Sequence, residues 1–163
     1  MGEKKMIFVT VGSQKFQFNR LLKKIDELID KGIIHDQVFA QTGASDYIPK
    51  NYAYKNYLDR DEFAKSTEQC DVFITHGGTG AIVGALKKKK KVIAVPRLMK
   101  YGEHVDDHQI QLLEQFGDME MIVACKDVDN LINALQKVEC MDAKPYVSNT
   151  KKNIDNIEKF LSE

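Results

Sequence analysis

The stretch that decides the fold is Asp71-Val72-Phe73-Ile74-Thr75-His76-Gly77-Gly78-Thr79-Gly80. Its first half is a short apolar run, typical of a strand buried on both faces of a parallel sheet. A glycine turn at 76–80 follows at once, and we expect a helix from about Ala81 into the lysines beyond it. A strand, a tight turn and a helix in this order indicate a strand–helix–strand unit.

The same alternation continues on both sides of this stretch. Apolar runs predict strands at 6–11, 37–41, 71–75, 92–96 and 121–124, with a weaker candidate at 52–57. Apolar residues at helical spacing predict helices at 18–29, 60–69, 127–138 and 148–162, with another ending near Phe116. The predicted fold class is therefore α/β: a single Rossmann-like domain, residues 1–163, whose parallel sheet is flanked by helices.

Composition narrows the function. The chain has 163 residues, and its 24 Lys and Arg balance its 24 Asp and Glu, so no basic excess suggests nucleic-acid binding. No apolar run approaches the roughly 18–20 residues of a membrane span, and the N-terminus has no signal-peptide pattern. The three cysteines form no C-x-x-C pair, which argues against a disulfide scaffold or structural zinc. We expect a cytoplasmic protein.

Three predicted strands end in turns of small residues: Gly12-Ser13, Thr42-Gly43 and the 76–80 turn. The carboxyl ends of parallel strands share one rim, where such sheets bind ligands. The 76–80 turn also opens a helix, whose free N–H groups and positive dipole end favour a phosphate. We interpret it as a diphosphate cradle; the alternative is a tight turn that binds nothing.

A dinucleotide site is a second alternative for this turn. The spacing Gly78-x-Gly80-x-x-x-Gly84 resembles a loose dinucleotide fingerprint, although it follows a middle strand rather than the first. The next strand ends in Pro96-Arg97 instead of the acidic residue that holds the ribose of NAD. Because Arg97 could contact a 2′-phosphate, NADP binding remains an alternative interpretation of this turn.

The segment 96–109 gathers polar and ionisable side chains into one loop and helix start, where functional residues concentrate. Such a set suits the hydroxyl groups of a sugar. His104 and His108, which share a helix face, could instead bind zinc, although Val105 stands where a zincin carries glutamate. Asp106 and Asp107 could simply cap the helix.

Five consecutive lysines occupy 87–91. They are typical of a solvated helix end, where cations favour the negative end of the helix dipole. The alternative is contact with anionic lipid.

Five stretches carry a resemblance to a known family: Ile7-Phe8-Val9-Thr10-Val11-Gly12-Ser13, Phe18-Asn19-Arg20-Leu21, Gln41-Thr42-Gly43, Thr75-His76-Gly77-Gly78-Thr79-Gly80, and Val95-Pro96-Arg97 with 101–109. Together they cover about 6–116. On these residues the chain resembles the C-terminal, donor-binding domain of family 28 glycosyltransferases with the GT-B fold. It is most similar to the small subunits of split bacterial exopolysaccharide glycosyltransferases. It is also similar to the small subunit of the eukaryotic two-part UDP-N-acetylglucosamine transferase that extends a dolichol-linked sugar.

The resemblance implies a UDP-sugar donor, an inverting transfer, no cofactor and no essential metal. It implies that the diphosphate is held by Gly12, Ser13, His76, Gly77, Gly78, Thr79 and Gly80. The nucleotide side would be Thr42, Gly43 and Arg97, and the sugar side Tyr101, Glu103, His104, Asp107, His108 and Gln109. Many relatives carry a ribose-binding glutamate where this chain has Gly84, so ribose recognition differs here or comes from elsewhere, with Glu103 as a candidate.

The resemblance also implies a partner, because one Rossmann-like domain is half of a GT-B enzyme. A membrane-associated subunit would bind the polyprenyl-diphosphate-linked acceptor and carry the general base. It would recruit this chain to the inner face of the membrane, with the 148–162 helix docking on it. The alternative is a non-catalytic partner that activates a complete transferase.

Overall fold

The computed structural model describes residues 5–12, 16–76, 79–96, 98–101, 108–118 and 121–140, with the backbone alone for Thr79, Met99, His108, Gln109 and Leu112. Within these ranges the strands are β1 (Met6–Thr10), β2 (Gln37–Gln41), β3 (Ala53–Lys55), β4 (Val72–His76), β5 (Lys91–Val95) and β6 (Val123–Ala124). The helices are α1 (Asn19–Asp30), α2 (Arg60–Gln69), α3 (Thr79–Lys87), α4 (His108–Asp118) and α5 (Leu131–Cys140). No helix of this described part is long and apolar enough to cross a membrane. The predicted 148–162 helix lies outside the described residues.

All strand pairs are parallel, and the sheet order is β3-β2-β1-β4-β5-β6. The chain moves outward from β1 to β3, returns to β4 beside β1, and then moves outward to β6. The direction of winding therefore reverses between β1 and β4, and open α/β sheets bind ligands beyond the carboxyl ends of strands at such a reversal. The predicted α/β class with a parallel sheet is confirmed.

Two apolar layers cover the sheet, because neighbouring side chains of a strand point to opposite faces. Ile7 and Val9 pack in the layer that contains α1 and α5. Phe8 and Phe73 pack in the opposite layer, with α3, α4 and part of α2. The interior strands are buried on both faces, which explains why they read as continuous apolar runs.

The connection between β2 and β3, residues 42–52, contains no helix and is held by a buried carboxylate on α1. Asp26, only 3% exposed, accepts hydrogen bonds from the Tyr47 hydroxyl at 2.6 Å, Lys50 N at 2.9 Å and Asn51 N at 3.0 Å. These three donors make burial of the charge tolerable. The connection is thus anchored beside the carboxyl end of β2.

The lysine run ends α3 at Lys87 and continues through a turn into β5. Its side chains do not only extend into solvent. Lys88 Nζ donates to the Ala64 carbonyl at 3.2 Å, and Lys90 Nζ donates to the Glu68 carbonyl at 2.7 Å. Lys90 therefore stabilises the carboxyl end of α2, and Lys88 bonds to the same helix one turn earlier.

Most element boundaries lie within two residues of prediction, and the start of the last described helix differs most. The helix predicted at 127–138 begins as a 3-10 turn at Val128–Asn130, and α5 follows it to Cys140. Asp127 produces this start, because its side chain accepts a hydrogen bond from Asp129 N at 3.0 Å. The last strand is shorter than predicted, with two residues at Val123–Ala124.

Candidate functional site

Three of the predicted site residues meet at the carboxyl rim, where β1, β2 and β4 end. Gly12 has φ +78°, and a Cβ there would lie 2.5 Å from His76 Nε2. Gly43 has φ +58°, and a Cβ there would lie 2.7 Å from the Gly12 carbonyl oxygen. Both positions therefore require glycine for two reasons, the positive φ and the lack of space. Gly12, Gly43 and His76 interlock at the point where the winding reverses.

The Thr42–Gly43 turn is buried and is bonded to the end of β3. Thr42 N donates to the Lys55 carbonyl at 2.9 Å, and Gly43 N donates to the Asn56 carbonyl at 2.7 Å. The Asn56 side chain donates in return to Thr42 Oγ1 at 3.3 Å. The hydroxyl of Thr42 is thus engaged within the protein, and the turn supports Gly12 from behind.

Helix α3 begins at Thr79, close after β4, and presents its amino end to the same rim. The first N–H groups of a helix lack partners inside the helix, and its dipole makes this end positive. Gly80 is exposed, and a Cβ there would meet no atom within 4 Å among the described residues. The amino end of α3 is therefore sterically open to an anion, and Gly84, one turn later, is equally open.

The loop after β5 is tied to the start of α1. The guanidinium of Arg20 lies 4.7 Å from the centre of the Tyr101 ring, and its Nη2 donates to the Pro96 carbonyl at 3.2 Å. Gln17 Nε2 donates to the Tyr101 carbonyl at 3.0 Å. Tyr101, a predicted sugar-binding residue, remains 48% exposed. Sequence reasoning did not assign a site role to Arg20 or Gln17, because these contacts join distant parts of the chain.

The other predicted site residues fall into two groups. The described backbone includes Thr79, His108 and Gln109, but not their side chains. Outside the described residues lie Ser13, Gly77, Gly78, Arg97, Glu103, His104 and Asp107. The zinc alternative for His104 and His108, and the capping alternative for Asp106 and Asp107, lie outside them as well.

Two of the thiols, Cys70 and Cys125, are not activated nucleophiles. Cys70 and Cys125 are buried, and burial raises the pKa of each thiol to about 11. Both are therefore protonated near neutral pH and pack as small apolar groups. Among the described residues, no group of three or more His, Cys, Asp and Glu side chains could hold a metal ion.

Comparison with known proteins identifies a family that matches this chain. A family model described as the glycosyltransferase family 28 C-terminal domain matches residues 6–162. A curated protein of Candida glabrata, UDP-N-acetylglucosamine transferase subunit ALG13, is 32% identical over 93 residues. The match covers 56% of this chain and 44% of that protein, so the chain spans less than half of this relative's length.

Solved structures share the fold. A solution structure of ALG13 superimposes with a TM-score of 0.66 at 19% identity, over 99% of this chain and 98% of that chain. The crystal structure of the glycotransferase of kitacinnamycin has a TM-score of 0.62 at 18% identity, over 97% of this chain and 39% of that chain. The second match corresponds to one part of a longer protein.

Proposed function

This chain belongs to the glycosyltransferase family 28 C-terminal domains, and from that premise we propose that it is the UDP-sugar-binding subunit of a two-component glycosyltransferase. The complete enzyme would transfer a hexose to a polyprenyl-diphosphate-linked acceptor in exopolysaccharide or capsule synthesis. The observation that carries the proposal is the interlock of Gly12 and His76 beside the open amino end of α3.

The diphosphate of the donor would bind between the Gly12 turn and the first turn of α3. Backbone N–H groups and the helix dipole would supply the positive potential there without a metal ion. Ser13, Gly77, Gly78 and Thr79 complete this side of the proposed site. As the glycosidic bond breaks, the same groups would stabilise the charge that develops on the UDP leaving group.

The sugar would lie toward the loop after β5, where Tyr101 is exposed and held by Arg20. Glu103, His104, Asp107, His108 and Gln109 follow in the chain and are proposed as its hydroxyl partners. The nucleotide would lie on the side of Thr42, Gly43 and Arg97. Because the position of the usual ribose-binding glutamate is the open Gly84, another residue, with Glu103 proposed, would hold the ribose.

A partner subunit completes the proposed enzyme. The Candida glabrata protein is itself named a transferase subunit, which supports a divided enzyme. We propose that a membrane-associated partner binds the lipid-linked acceptor, supplies the general base and contacts the 148–162 segment. The chain would then work at the inner face of the membrane.

The test is a calorimetric titration of the purified chain with UDP and a panel of UDP-sugars, with and without EDTA. We expect binding that survives EDTA, with the tightest sugar identifying the donor. Gly12→Ala should abolish binding, because its Cβ would meet His76. Gly32→Ala is the matched control, since Gly32 has φ +71° but an added Cβ would have no atom within 4 Å in the part of the chain that the structure describes; it should bind like the wild type.

Two outcomes would contradict the proposal. Absence of UDP binding both alone and with the purified partner would indicate the non-catalytic activator. Tight binding of NADP instead of UDP would indicate the dinucleotide alternative.

A further inference from the structure

A row of buried polar side chains crosses the three central strands just below the rim. Thr10 of β1 pairs in register with Gln41 of β2 and with Thr75 of β4. Side chains in register on neighbouring strands emerge on the same face, so the three lie side by side. All are at least nine-tenths buried: Thr10 and Thr75 are 0% exposed and Gln41 is 5% exposed. This row lies in a layer that is otherwise filled by phenylalanine rings and aliphatic side chains.

Both backbone groups of Gly12 are bonded to this row. Gly12 N donates to Thr10 Oγ1 at 3.2 Å, and the Gly12 carbonyl accepts from Gln41 Nε2 at 3.2 Å. Gly12 is also the residue whose missing Cβ makes room for His76. Thr10 and Gln41 therefore hold the two backbone groups of Gly12, and the His76 side chain packs against it.

The orientation of the Gln41 amide comes at an energetic cost. Its Oε1 atom is buried without a hydrogen-bond partner among the described residues, and so is Thr75 Oγ1. A buried acceptor that loses its partner is destabilising. Turning the amide over would set Oε1 against the Gly12 carbonyl oxygen, and two acceptors repel each other. The bond to Gly12 thus decides which way the amide lies.

We propose that Gln41 is a positioning residue for the diphosphate: by donating to the Gly12 carbonyl it fixes the conformation of Gly12, the residue against which the diphosphate would lie. Thr10 holds the N–H of Gly12, so the two side chains together set the position of this residue beside His76. This inference rests on the proposed function, because it assigns the anion held there to the donor diphosphate.

The experiment compares Gln41→Met, Gln41→Glu and a matched control in the intact chain. Thr67→Val is the control, because Thr67 is also buried and its hydroxyl donates to a backbone carbonyl, that of Phe63 at 2.9 Å, within α2. Dissociation constants for UDP are measured by calorimetry, and the backbone amide signals of Gly12 and Gly43 are followed by NMR. We expect Gln41→Met to weaken UDP binding about tenfold, the equivalent of one hydrogen bond, and Thr67→Val to leave it unchanged.

The pH dependence separates positioning from a purely structural role. When ionised, the carboxylate introduced by Gln41→Glu faces the Gly12 carbonyl and cannot donate, so at the alkaline end of a titration from pH 5 to 9 its binding should be at least as weak as in Gln41→Met. Burial favours the protonated carboxyl, which can donate again, so the ratio of its dissociation constant to that of the wild type should fall toward one as the pH is lowered. His76, the titratable group against Gly12, is common to all the proteins, and Gln41→Met reports its contribution.

The outcomes distinguish the positioning role of Gln41 from the proposed function of the chain. UDP binding by Gln41→Met within twofold of the wild type would overturn the positioning role while leaving the proposed function intact. If the wild type binds no UDP either alone or with the purified partner, the proposed function fails, and the amide signals then decide. Gly12 and Gly43 signals unchanged in Gln41→Met would overturn the positioning role, whereas shifted or doubled signals, absent in Thr67→Val, would support it.

Discussion

Arg20, in the first turn of α1, lies 4.7 Å from the ring centre of Tyr101, in the loop after β5. The same guanidinium donates to the Pro96 carbonyl and lies 5.5 Å from the centre of the Phe18 ring. One cation thus joins the segment after β1 to the segment after β5. In the proposed enzyme these two segments would bind the diphosphate and the sugar, so Arg20 would hold the two parts of the donor site in a fixed relation.

Replacement of Arg20 by methionine should weaken the binding of a UDP-sugar more than that of UDP. The aliphatic stem is kept, but the cation–π contact and the bond to Pro96 are lost, and together they are worth about 2 kcal/mol. We expect the dissociation constant of the UDP-sugar to rise at least about tenfold. Lys24→Met on the same helix is the control, because Lys24 pairs with Asp129 at 3.4 Å. Equal losses for UDP and UDP-sugar would contradict the linking role.

Asp26→Asn should destabilise the protein by about 2–4 kcal/mol, because an amide cannot accept all three donors that the carboxylate accepts. Urea denaturation measures the free energy of unfolding. Asp30→Asn, one turn along the helix, removes a carboxylate that accepts from the Asn51 side chain in an exposed position, and should cost under about 0.5 kcal/mol. Similar losses of unfolding free energy in both variants would contradict the anchoring role of the buried Asp26.

Tyr47 should make stability fall at alkaline pH. Burial, followed by its hydrogen bond to Asp26, raises the pKa of this phenol to about 12. Its pKa in the unfolded chain is about 10, so the folded state keeps the proton longer. The stability that Tyr47 contributes is therefore complete below pH 10 and lost as pH rises toward 12.

Unfolding free energies measured from pH 8 to 11.5 should fall less steeply for Tyr47→Phe than for the wild type. Tyr57→Phe, which removes an exposed phenol, is the matched control.

Lys89→Gly should stabilise the protein by about 0.5–1 kcal/mol, because Lys89 has φ +60° at a position that favours glycine. Lys89 N donates to the Leu86 carbonyl and Lys90 N to the Ala85 carbonyl, the pattern of a helix closed by a left-handed residue. Thermal denaturation should show a higher midpoint. Lys87→Gly, inside α3, should instead lower the stability by about 0.5–1 kcal/mol. A loss of stability in Lys89→Gly would mean that its side chain has a role of its own.

Local sequence was sufficient to locate the strands and the glycines that follow them. Val72–His76 and Lys91–Val95 are interior strands buried on both faces, and continuous β-branched runs reflect that burial directly. Gly12 and Gly43 were predicted as rim residues, and the structure adds that each is required by a positive φ and a close neighbour. The reason lies in contacts between strands, which a local pattern does not contain.

The supporting residues could not be predicted in the same way. Arg20 bonds to a carbonyl 76 residues away, and Gln41 bonds to Gly12 across the neighbouring strand. A polar residue at the end of a buried run was the one visible signal for Gln41. Its meaning depends on the register between β1 and β2, which the sequence pattern alone does not specify.

Two identical substitutions one turn apart on α3 should have opposite effects on donor binding. Gly80 and Gly84 are both exposed, and a Cβ at either would meet no atom of the described residues within 4 Å, so both variants should fold. Gly80→Glu adds a negative charge at the amino end of the helix, where the diphosphate would bind, and should weaken UDP binding at least about tenfold. Gly84→Glu adds a carboxylate that can accept from the ribose hydroxyls, and should strengthen UDP binding about tenfold.

Gly84→Gln, with similar helix propensity but a neutral acceptor, should have a UDP affinity between those of Gly84→Glu and the wild type in calorimetric titrations. Equal weakening by glutamate at both positions would mean that both lie against the diphosphate, and the ribose would then have to be placed away from α3.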